Sequence, residues 1–406
     1  MLSRLRSDLE KLGSIGKLEN GGVFRPSFSD ADIEARKYVI SLMIDAGMDV
    51  MVDTAANIVG IRKGTVESPL VMTGSHIDAG YRWGIFDGPL GVLGAIEAVR
   101  MLNEEKVKTK YPVAVVCFSD EEGSYLPLSG SKYFAGLITK EALFETKNKY
   151  DGSIFGEVVK KAYQIKGISK VVEKFDFQIK NYVELHIEQG PILESVKKEI
   201  GVVNGIVGIR WVYLTFKGQQ SHAGTTPMNL RKDATVPAAK SILALRRIVL
   251  NYKDMVGTAG VIKVTPNVVN AIPKEVVVNM DIRSLDRNEL DQAAIAIVKE
   301  AELYAKEEGV ELVYSINEAA NPVPCSNEVV ETIKSAVESL NYSYIVMPSR
   351  AGHDAQNVAR LTKIGMIFVP SKGGISHSPE EWTDWDYCHK GVEVLKKTII
   401  SLAVGG

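Results

Sequence analysis

The chain has 406 residues, of which 45% are hydrophobic and 24% charged, as in an ordinary folded globular protein. Its 48 Lys and Arg residues nearly balance its 50 Asp and Glu residues, which argues against nucleic acid or an anionic membrane as the main partner. The length favours two domains. No apolar run approaches the roughly 20 residues of a bilayer span. The amino terminus lacks an apolar signal core and the cysteines are few, so we expect a cytoplasmic protein.

The first half of the chain alternates predicted helices with apolar strands. Apolar residues recur at helical spacing over 31–47 and 90–102, while the continuous apolar runs 70–72 and 112–118 are typical of buried strands. This alternation predicts an α/β domain with a mostly parallel sheet flanked by helices. Catalytic groups in such sheets gather where strands end, and the segments HID and SDEEG both follow predicted strands.

The pattern changes near residue 208. Alternating or short apolar segments predict strands at 211–217, 260–264, 276–284 and 311–316. Helical patterns cover 234–250 and 287–308. This order is typical of an α+β domain with an antiparallel sheet. Because the α/β pattern then returns, we predict a catalytic domain of residues 1–207 and 320–406 interrupted by an inserted domain of residues 208–319.

Histidine and acidic side chains concentrate in the predicted strand ends and loops. His76 and Asp78 are two residues apart on an extended segment and face the same way, so Asp78 can orient an imidazole that binds a metal. Further imidazoles and carboxylates occur in FDG, SDEEG, ELHIE and ISHS. Three imidazoles with at least two carboxylates suit two divalent first-row ions better than calcium. SDEEG by itself is more typical of a solvated acidic turn.

Nine segments resemble the amidohydrolase branch of the M20 metallopeptidase-like family, which comprises N-carbamoyl-L-amino acid hydrolases, allantoate amidohydrolases and related ureidopropionases. They occur in order over nearly the whole chain: GSHIDAG, FDGPLGVLGAIEA, FSDEEGS, ELHIEQGPILE, SHAGTTPMNLRKDA, NVVNAIP, MDIRS, AGHDA and ISHSPEEW. M20 peptidases usually carry an aspartate where this chain has His186, and ELHIEQGP is typical of the amidohydrolase branch.

The resemblance implies two divalent metal ions, Zn²⁺ or Mn²⁺ with Co²⁺ or Ni²⁺ also acceptable, and Asp87 as their bridge. The implied metal ligands are His76, Asp87, Glu122, His186 and His377. Glu121 is implied as the general base, and Asp78 as the partner that orients His76. His353 and Asp354 are expected to have supporting or structural roles, and His389 matches no motif.

The inserted domain is implied to be a lid and dimerisation domain. His222 resembles the histidine that hydrogen-bonds the reacting carbonyl, while Asn270 and Arg283 resemble the clamp on the substrate carboxylate. Gln189 and the backbone of Gly352 are implied as further substrate contacts. We therefore expect a homodimer in which His222 and Asn270 act across the interface.

The expected activity is hydrolysis of an N-carbamoyl-L-amino acid to the amino acid, carbon dioxide and ammonia. Allantoate is the nearest alternative substrate, because it shares the ureido group and the carboxylate. His186 argues against an M20 aminoacylase or dipeptidase, and the presence of Glu121 and every ligand argues against a non-catalytic binding protein. The sequence departs from many relatives at Tyr81-Arg82-Trp83, which we expect to line the entrance without touching the metal ligands.

Overall fold

The computed structural model describes residues 2–404, which divide into two compact units. One contains the residues up to Asn204 together with those from Cys325 onward, and the other is Gly205–Pro324. The predicted boundaries, 207/208 and 319/320, both fall inside the second unit. The difference arises because Val323–Pro324 pairs with Gly205–Ile206, a contact between distant segments that leaves no trace in composition.

The first segment of the larger unit contains most of its strands. These are β1 (Val23–Arg25), β2 (Asp49–Val52), β3 (Ile58–Arg62), β4 (Leu70–His76), β5 (Ala79–Trp83), β6 (Val113–Phe118), β7 (Lys170–Val171), β8 (Ile179–Ile187) and β9 (Ile200–Ile206). The helices are α1 (Leu2–Ser14), α2 (Asp30–Asp45), α3 (Pro89–Glu104), α4 (Ser129–Phe134), α5 (Lys140–Phe144), α6 (Phe155–Val158), α7 (Lys160–Tyr163) and α8 (Ile192–Ser195).

The inserted unit forms an antiparallel sheet. Its strands are β10 (Gly208–Lys217), β11 (Ser221–His222), β12 (Val256–Thr265), β13 (Ala271–Ile272), β14 (Glu275–Ser284), β15 (Glu311–Ala320) and β16 (Val323–Pro324), and its helices are α9 (Thr235–Val249) and α10 (Arg287–Glu307). The main sheet has the order β12-β14-β10-β15. Burial alternates along β10 and β14, and their buried residues pack with those of α9 and α10 in one apolar core. The period-two pattern of the sequence is the cause, since alternate residues face the helices.

The last segment completes the larger unit. It contains α11 (Asn327–Ser339), β17 (Tyr344–Ser349), α12 (Ala355–Val358), β18 (Lys363–Val369) and α13 (Trp385–Val404). No helix within residues 2–404 combines the length and the apolar character that crossing a bilayer requires.

Within the larger unit, the large sheet has the order β9-β18-β8-β4-β6-β3-β2-β7, and β17 also pairs with β9. Its centre, β18-β8-β4-β6, is parallel, but β9, β3 and β2 pair antiparallel with their inner neighbours. The α/β class is confirmed, whereas the prediction of a mostly parallel sheet is wrong: the sheet is mixed. The connection from β2 to β3 spans only residues 53–57, and so short a loop permits antiparallel pairing but not a parallel crossover.

Candidate metal and catalytic site

The site forms where the central parallel strands end. His76 is the last residue of β4, the pair Glu121–Glu122 follows β6, and His186 is the penultimate residue of β8. Because the carboxyl ends of parallel strands meet at one edge of a sheet, these side chains converge. Asp87 reaches the same place from the loop before α3, and His377 from the loop after β18.

Two groups of potential metal ligands share Asp87. His76, Asp87 and His186 form one group, and Asp87, Glu122 and His377 the other; within each, the ligand atoms lie within 4.8 Å of one another. Asp87 Oδ1 lies 3.3 Å from His186 Nε2 and 3.7 Å from His76 Nε2. Its other oxygen, Oδ2, lies 2.9 Å from His377 Nε2. One carboxylate oxygen therefore faces each group, which is the arrangement that a bridging ligand requires.

The loop that carries Asp87 depends on a glycine and on a residue that the sequence reasoning missed. Gly88 has φ +81°, and a Cβ there would lie 2.5 Å from the His76 ring. The backbone N–H groups of Phe86 and Asp87 donate to Glu381 Oε1 at 3.1 and 3.2 Å. Ser376 Oγ lies 3.0 Å from Glu381 Oε2 and 3.2 Å from Asp87 Oδ2. Glu381 therefore links the Asp87 loop to the residue that precedes His377.

Asp78 holds the strand end of His76 and the acidic loop together. Its Oδ1 lies 3.4 Å from His76 Nδ1, and its two oxygens accept the backbone N–H groups of Glu121 and Glu122 at 3.2 and 3.0 Å. Asp78 is therefore placed to orient both a metal ligand and the candidate base.

Arg25, which the sequence reasoning also missed, supports the same strand end from inside the protein. Its buried guanidinium donates to Ile77 O at 2.7 Å and to Leu12 O and Ile15 O at 3.0 and 2.8 Å. The end of α1 is thus tied to the residue between His76 and Asp78. Nothing in the sequence around Arg25 distinguishes it from a surface arginine.

The two ligand groups and Glu121 together form a cluster, and its charges favour a bound cation. Burial, reinforced by neighbouring carboxylates, raises the pKa of Glu121 and of Glu122 well above the ordinary value. Burial would also raise the pKa of Asp87, but hydrogen bonds from His186, His377 and His76 hold it well below its usual range. Crowded buried carboxylates beside imidazoles are stabilised by bound divalent ions, so the residues present suit the two metals that the sequence predicts.

Glu121 lies at the edge of both groups. Its Oε2 is 3.7 Å from His76 Nε2, and its side chain is 12% exposed. Glu122 Oε1 instead points at His377 Nε2, at 3.7 Å. His76, Glu121 and Glu122 also have ligand atoms within 4.8 Å of one another, so both acids face the potential metal ligands.

Other acids of these motifs have structural contacts. Asp120 accepts the backbone N–H of Ser124 and the Ser129 hydroxyl, so it folds the acidic loop. Glu184 accepts the Ser75 hydroxyl and the Ala355 N–H. Glu188 accepts the N–H groups of Ile192 and Leu193 at the start of α8.

The larger unit contains two further histidines. His353 lies beside the cluster and His389 lies outside it. His353 packs against His186 with ring centroids 4.6 Å apart, and its Nε2 lies 2.8 Å from Ser349 Oγ. Asp354 is buried next to it, at the start of α12. His389 Nε2 lies 3.4 Å from Glu393, within α13.

Gln189 lies against the metal groups. It has φ +58°, and its Nε2 donates to Asp87 Oδ2 at 2.7 Å and lies 3.2 Å from His377 Nε2. Gly352 lies in the connection between β17 and α12, where a Cβ would approach Gln356 Oε1 to 3.2 Å.

In the inserted unit, His222 is exposed and its ring is fixed by backbone contacts. The N–H groups of Gly224 and Thr225 donate to His222 Nδ1 at 3.1 and 3.3 Å. Because Nδ1 accepts, the neutral ring carries its proton on Nε2, which therefore presents a hydrogen-bond donor. The pairing of β11 with β13 brings the backbone of Asn270 alongside, where its carbonyl accepts the Ala223 N–H at 3.0 Å.

Arg283 lies on β14, where Asp281 orients it. Arg283 Nε and one terminal nitrogen donate to the two Asp281 oxygens at 2.8 and 3.2 Å, and Trp211 Nε1 donates to Asp281 Oδ2 at 2.9 Å. Arg283 pairs with Ile209, whereas Glu275, eight residues earlier on β14, pairs with Lys217.

The ladder that contains Arg283 separates it from His222. Eight residues of antiparallel strand span about 27 Å. Beyond the Lys217 end, the chain continues into the separate two-stranded sheet β11–β13, which carries His222. Arg283 therefore lies near one end of the β10–β14 pair, and His222 follows the other end.

The segment Tyr81-Arg82-Trp83 corrects one prediction. Tyr81 is exposed and packs edge-on against Phe24, with ring centroids 5.5 Å apart, and Arg82 donates to Asn20 O at 3.1 Å. The Trp83 ring, however, stacks on His377 with centroids 3.7 Å apart and ring planes 8° apart. The expectation that this segment does not touch the metal ligands is wrong, because β5 carries Trp83 to a loop nearly 300 residues later in the chain.

The chain is similar to known proteins over most of its length. The family model described as peptidase family M20/M25/M40 matches residues 49–401. The chain is 40% identical to the N-carbamoyl-L-amino acid amidohydrolase of Geobacillus stearothermophilus, over 99% of this chain and 98% of that protein. It is 33% identical to allantoate deiminase 1 of Glycine max, over 91% and 84% of the two chains.

A solved structure gives the same result. The amidase of the hydantoinase/carbamoylase family from Burkholderia multivorans is 34% identical, with a TM-score of 0.95 over 100% of this chain and 98% of that one. The chain therefore belongs to the M20/M25/M40 peptidase family. Within it, the chain is a hydrolase of the amidohydrolase branch, whose members act on carbon–nitrogen bonds other than peptide bonds.

Proposed function

We propose that this protein is a binuclear metal-dependent amidohydrolase that cleaves the carbamoyl C–N bond of an N-carbamoyl-L-amino acid. The products are the amino acid, carbon dioxide and ammonia. The observation that carries the proposal is the pair of ligand groups that share Asp87, with Glu121 beside them. The name of the Geobacillus stearothermophilus relative supports the choice of substrate.

The chemistry divides between the metals and Glu121. His76 and His186 would hold one ion with Asp87, and Glu122 and His377 would hold the other with Asp87. Two divalent ions bound there, Zn²⁺ or Mn²⁺ with Co²⁺ or Ni²⁺ as alternatives, would supply Lewis acidity and lower the pKa of water. Glu121 takes a proton from the attacking water and returns it to the departing nitrogen. Burial raises the pKa of Glu121, which is the direction that favours a carboxylate acting as a proton acceptor.

The proposed substrate contacts are the residues that the family resemblance implies. Gln189, the backbone of Gly352 and Arg283 contact the substrate, and the Arg283 fork binds its carboxylate. His222 donates from Nε2 to the carbonyl oxygen as negative charge develops there, and Asn270 acts beside it.

The separation within the inserted sheet supports a homodimer. A small ureido acid cannot reach both Arg283 and His222 across about 27 Å of β-strand. We therefore propose that His222 and Asn270 act in the active site of a second copy, with the inserted unit as a lid and dimerisation domain.

Allantoate is the second candidate substrate. It offers the same ureido carbonyl and a carboxylate, and the Glycine max relative is named for it. Both substrates use the same catalytic groups, so the distinction lies in what surrounds the carboxylate.

The test is ammonia release by metal-stripped protein reloaded with Mn²⁺ or Zn²⁺. The panel contains N-carbamoyl-L- and D-amino acids, N-carbamoyl-β-alanine and allantoate, with N-acetyl amino acids and a dipeptide followed by free amine. We expect metal-dependent turnover of an N-carbamoyl-L-amino acid with a strong preference for L over D. Turnover of allantoate alone would select the second candidate. No turnover by protein that has bound both ions would reject the proposal and favour a binding protein.

A further inference from the structure

His377 differs from the other imidazoles of the cluster in how it is held. The side chains of His76 and His186 are 2% exposed, whereas that of His377 is 45% exposed. His76 Nδ1 lies 3.3 Å from Asp78 O, and His186 Nδ1 lies 2.9 Å from Ile187 O. Hydrogen bonds of this kind fix the orientation of ligating imidazoles.

Within residues 2–404, no hydrogen bond of the same kind reaches Nδ1 of His377. The residue lies in a loop with φ +54°, and only its Nε2 faces the acids Asp87 and Glu122. Trp83 instead sets the plane of the His377 ring. The indole covers one face of the imidazole, with the ring centroids 3.7 Å apart and the ring planes 8° apart. A parallel aromatic contact of this kind restricts rotation of the ring and excludes water from its face.

Trp83 is itself held firmly. It lies at the end of β5, where it pairs with Val23 of β1. The six-membered part of its indole lies over Gly80, where a Cβ would come within 2.5 Å of Trp83 Cε2. A side chain at position 80 would therefore displace the indole, and the glycine allows the ring to lie flat between its own strand and the histidine loop.

We infer that Trp83 is a positioning residue, which holds the exposed His377 imidazole in the orientation that binds the second metal ion. The inference rests on the proposed function, because it takes His377 to be a ligand. Loss of a supporting contact to a metal ligand typically weakens metal affinity about 10- to 100-fold. We expect a loss of this size for the ion held by Asp87, Glu122 and His377, and none for the ion held by His76 and His186.

The experiment compares Trp83→Leu, Trp83→Phe and Tyr81→Ala with the unmodified full-length chain. Leucine retains apolar bulk without an aromatic face, phenylalanine retains the face, and Tyr81 is an exposed neighbour outside the cluster. Metal-stripped proteins are titrated with Co²⁺ by calorimetry. We expect two ions in each, with one bound about 10- to 100-fold more weakly in Trp83→Leu and near-normal affinities in Trp83→Phe and Tyr81→Ala. At saturating Co²⁺, kcat should return to near the unmodified value.

Fluorescence provides a second readout that does not need the leucine variant. The chain has four tryptophans, and Co²⁺ bound to His377 should quench the emission of Trp83 that covers it. We expect Trp83→Phe to bind two ions but lose most of the Co²⁺-dependent quenching.

The two proposals fail differently. An unmodified chain that binds fewer than two ions contradicts the proposed function. An unmodified chain that binds two ions, with Trp83→Leu binding both equally well or Trp83→Phe keeping the full quenching, contradicts only the role of Trp83. An equal loss of metal affinity in Trp83→Leu and Trp83→Phe would also contradict the stacking role. It would show that Trp83 acts only by filling space.

Discussion

The metal cluster and the recognition residues of the inserted unit are built in opposite ways. The cluster side chains converge on Asp87 within one unit, and His76, Asp87 and His186 are buried. His222 is exposed and follows the far end of a strand pair that extends about 27 Å from Arg283. The parallel strand ends assemble the first set in a single chain, whereas the proposed function needs a second copy of the chain to complete the second set.

This contrast separates chemistry from recognition. The cluster is held by contacts within the chain, because Glu381, Asp78 and Arg25 fix the loops that carry its candidate ligands. Prearranged groups of this kind stabilise a transition state without reorganising during the reaction. The inserted unit prepares only individual donors, namely the His222 Nε2–H and the Arg283 fork.

The largest effect is expected inside the cluster, from Glu121→Gln. The amide keeps the shape of the side chain but cannot take a proton, so kcat should fall about 10³-fold or more while two ions still bind. Steady-state kinetics and metal analysis measure both. Glu122→Gln is the matched control on the adjacent residue: it should weaken metal binding and recover part of its activity at high metal concentration. Equal losses of kcat and of metal binding in the two variants would contradict the assignment of Glu121 as the base and Glu122 as a metal ligand.

The sequence predicts the cluster better than it predicts the supports of the cluster. His76 and Glu121 lie at or just after predicted apolar strands, which is a local pattern, whereas the role of His186 was implied by the resemblance of ELHIEQGP to the family. Glu381 and Trp83 act through contacts with segments far away in the chain, so no spacing reveals them. The mixed sheet was missed for the same reason, since strand direction depends on pairing and not on hydrophobicity alone.

The comparison is tested most directly by His222→Ala. Removing a donor to a developing oxyanion typically lowers kcat about 10²- to 10³-fold, and the metal content should not change. If His222 serves the partner's site, mixing His222→Ala with Glu121→Gln restores activity. Random subunit exchange makes half of the dimers mixed, each with one intact site, so about a quarter of the original activity should return. Failure to recover in a verified mixed dimer would place His222 in its own chain's site.

A smaller effect is expected from Arg283→Lys, on β14 of the inserted unit. Lysine keeps the charge but loses the planar fork, and it cannot share the same two contacts with Asp281. Loss of a charge-assisted bidentate contact corresponds to about a 10- to 100-fold rise in KM with a smaller change in kcat. The L over D preference should fall as well. Arg287→Lys, an exposed arginine outside the proposed site, is the control and should leave KM unchanged.

The smallest expected effect is the number of protons released when metal binds. It distinguishes the buried cluster from the exposed His222 of the inserted unit. Burial raises the pKa of Glu122 well above its ordinary value. Burial disfavours the charged forms of His76 and His186, but neighbouring carboxylates, above all Glu121 and Asp87, raise both pKa values. The metal-free cluster therefore holds protons that its ligands must lose to bind an ion. Because protons are released, apparent metal affinity should rise with pH and fall on acidification.

Calorimetry at pH 7 in two buffers of different ionisation enthalpy measures the number of protons released on metal binding. We expect a net release of at least about one proton, reduced in Glu122→Gln and unchanged in His222→Ala; net uptake would contradict the protonated cluster.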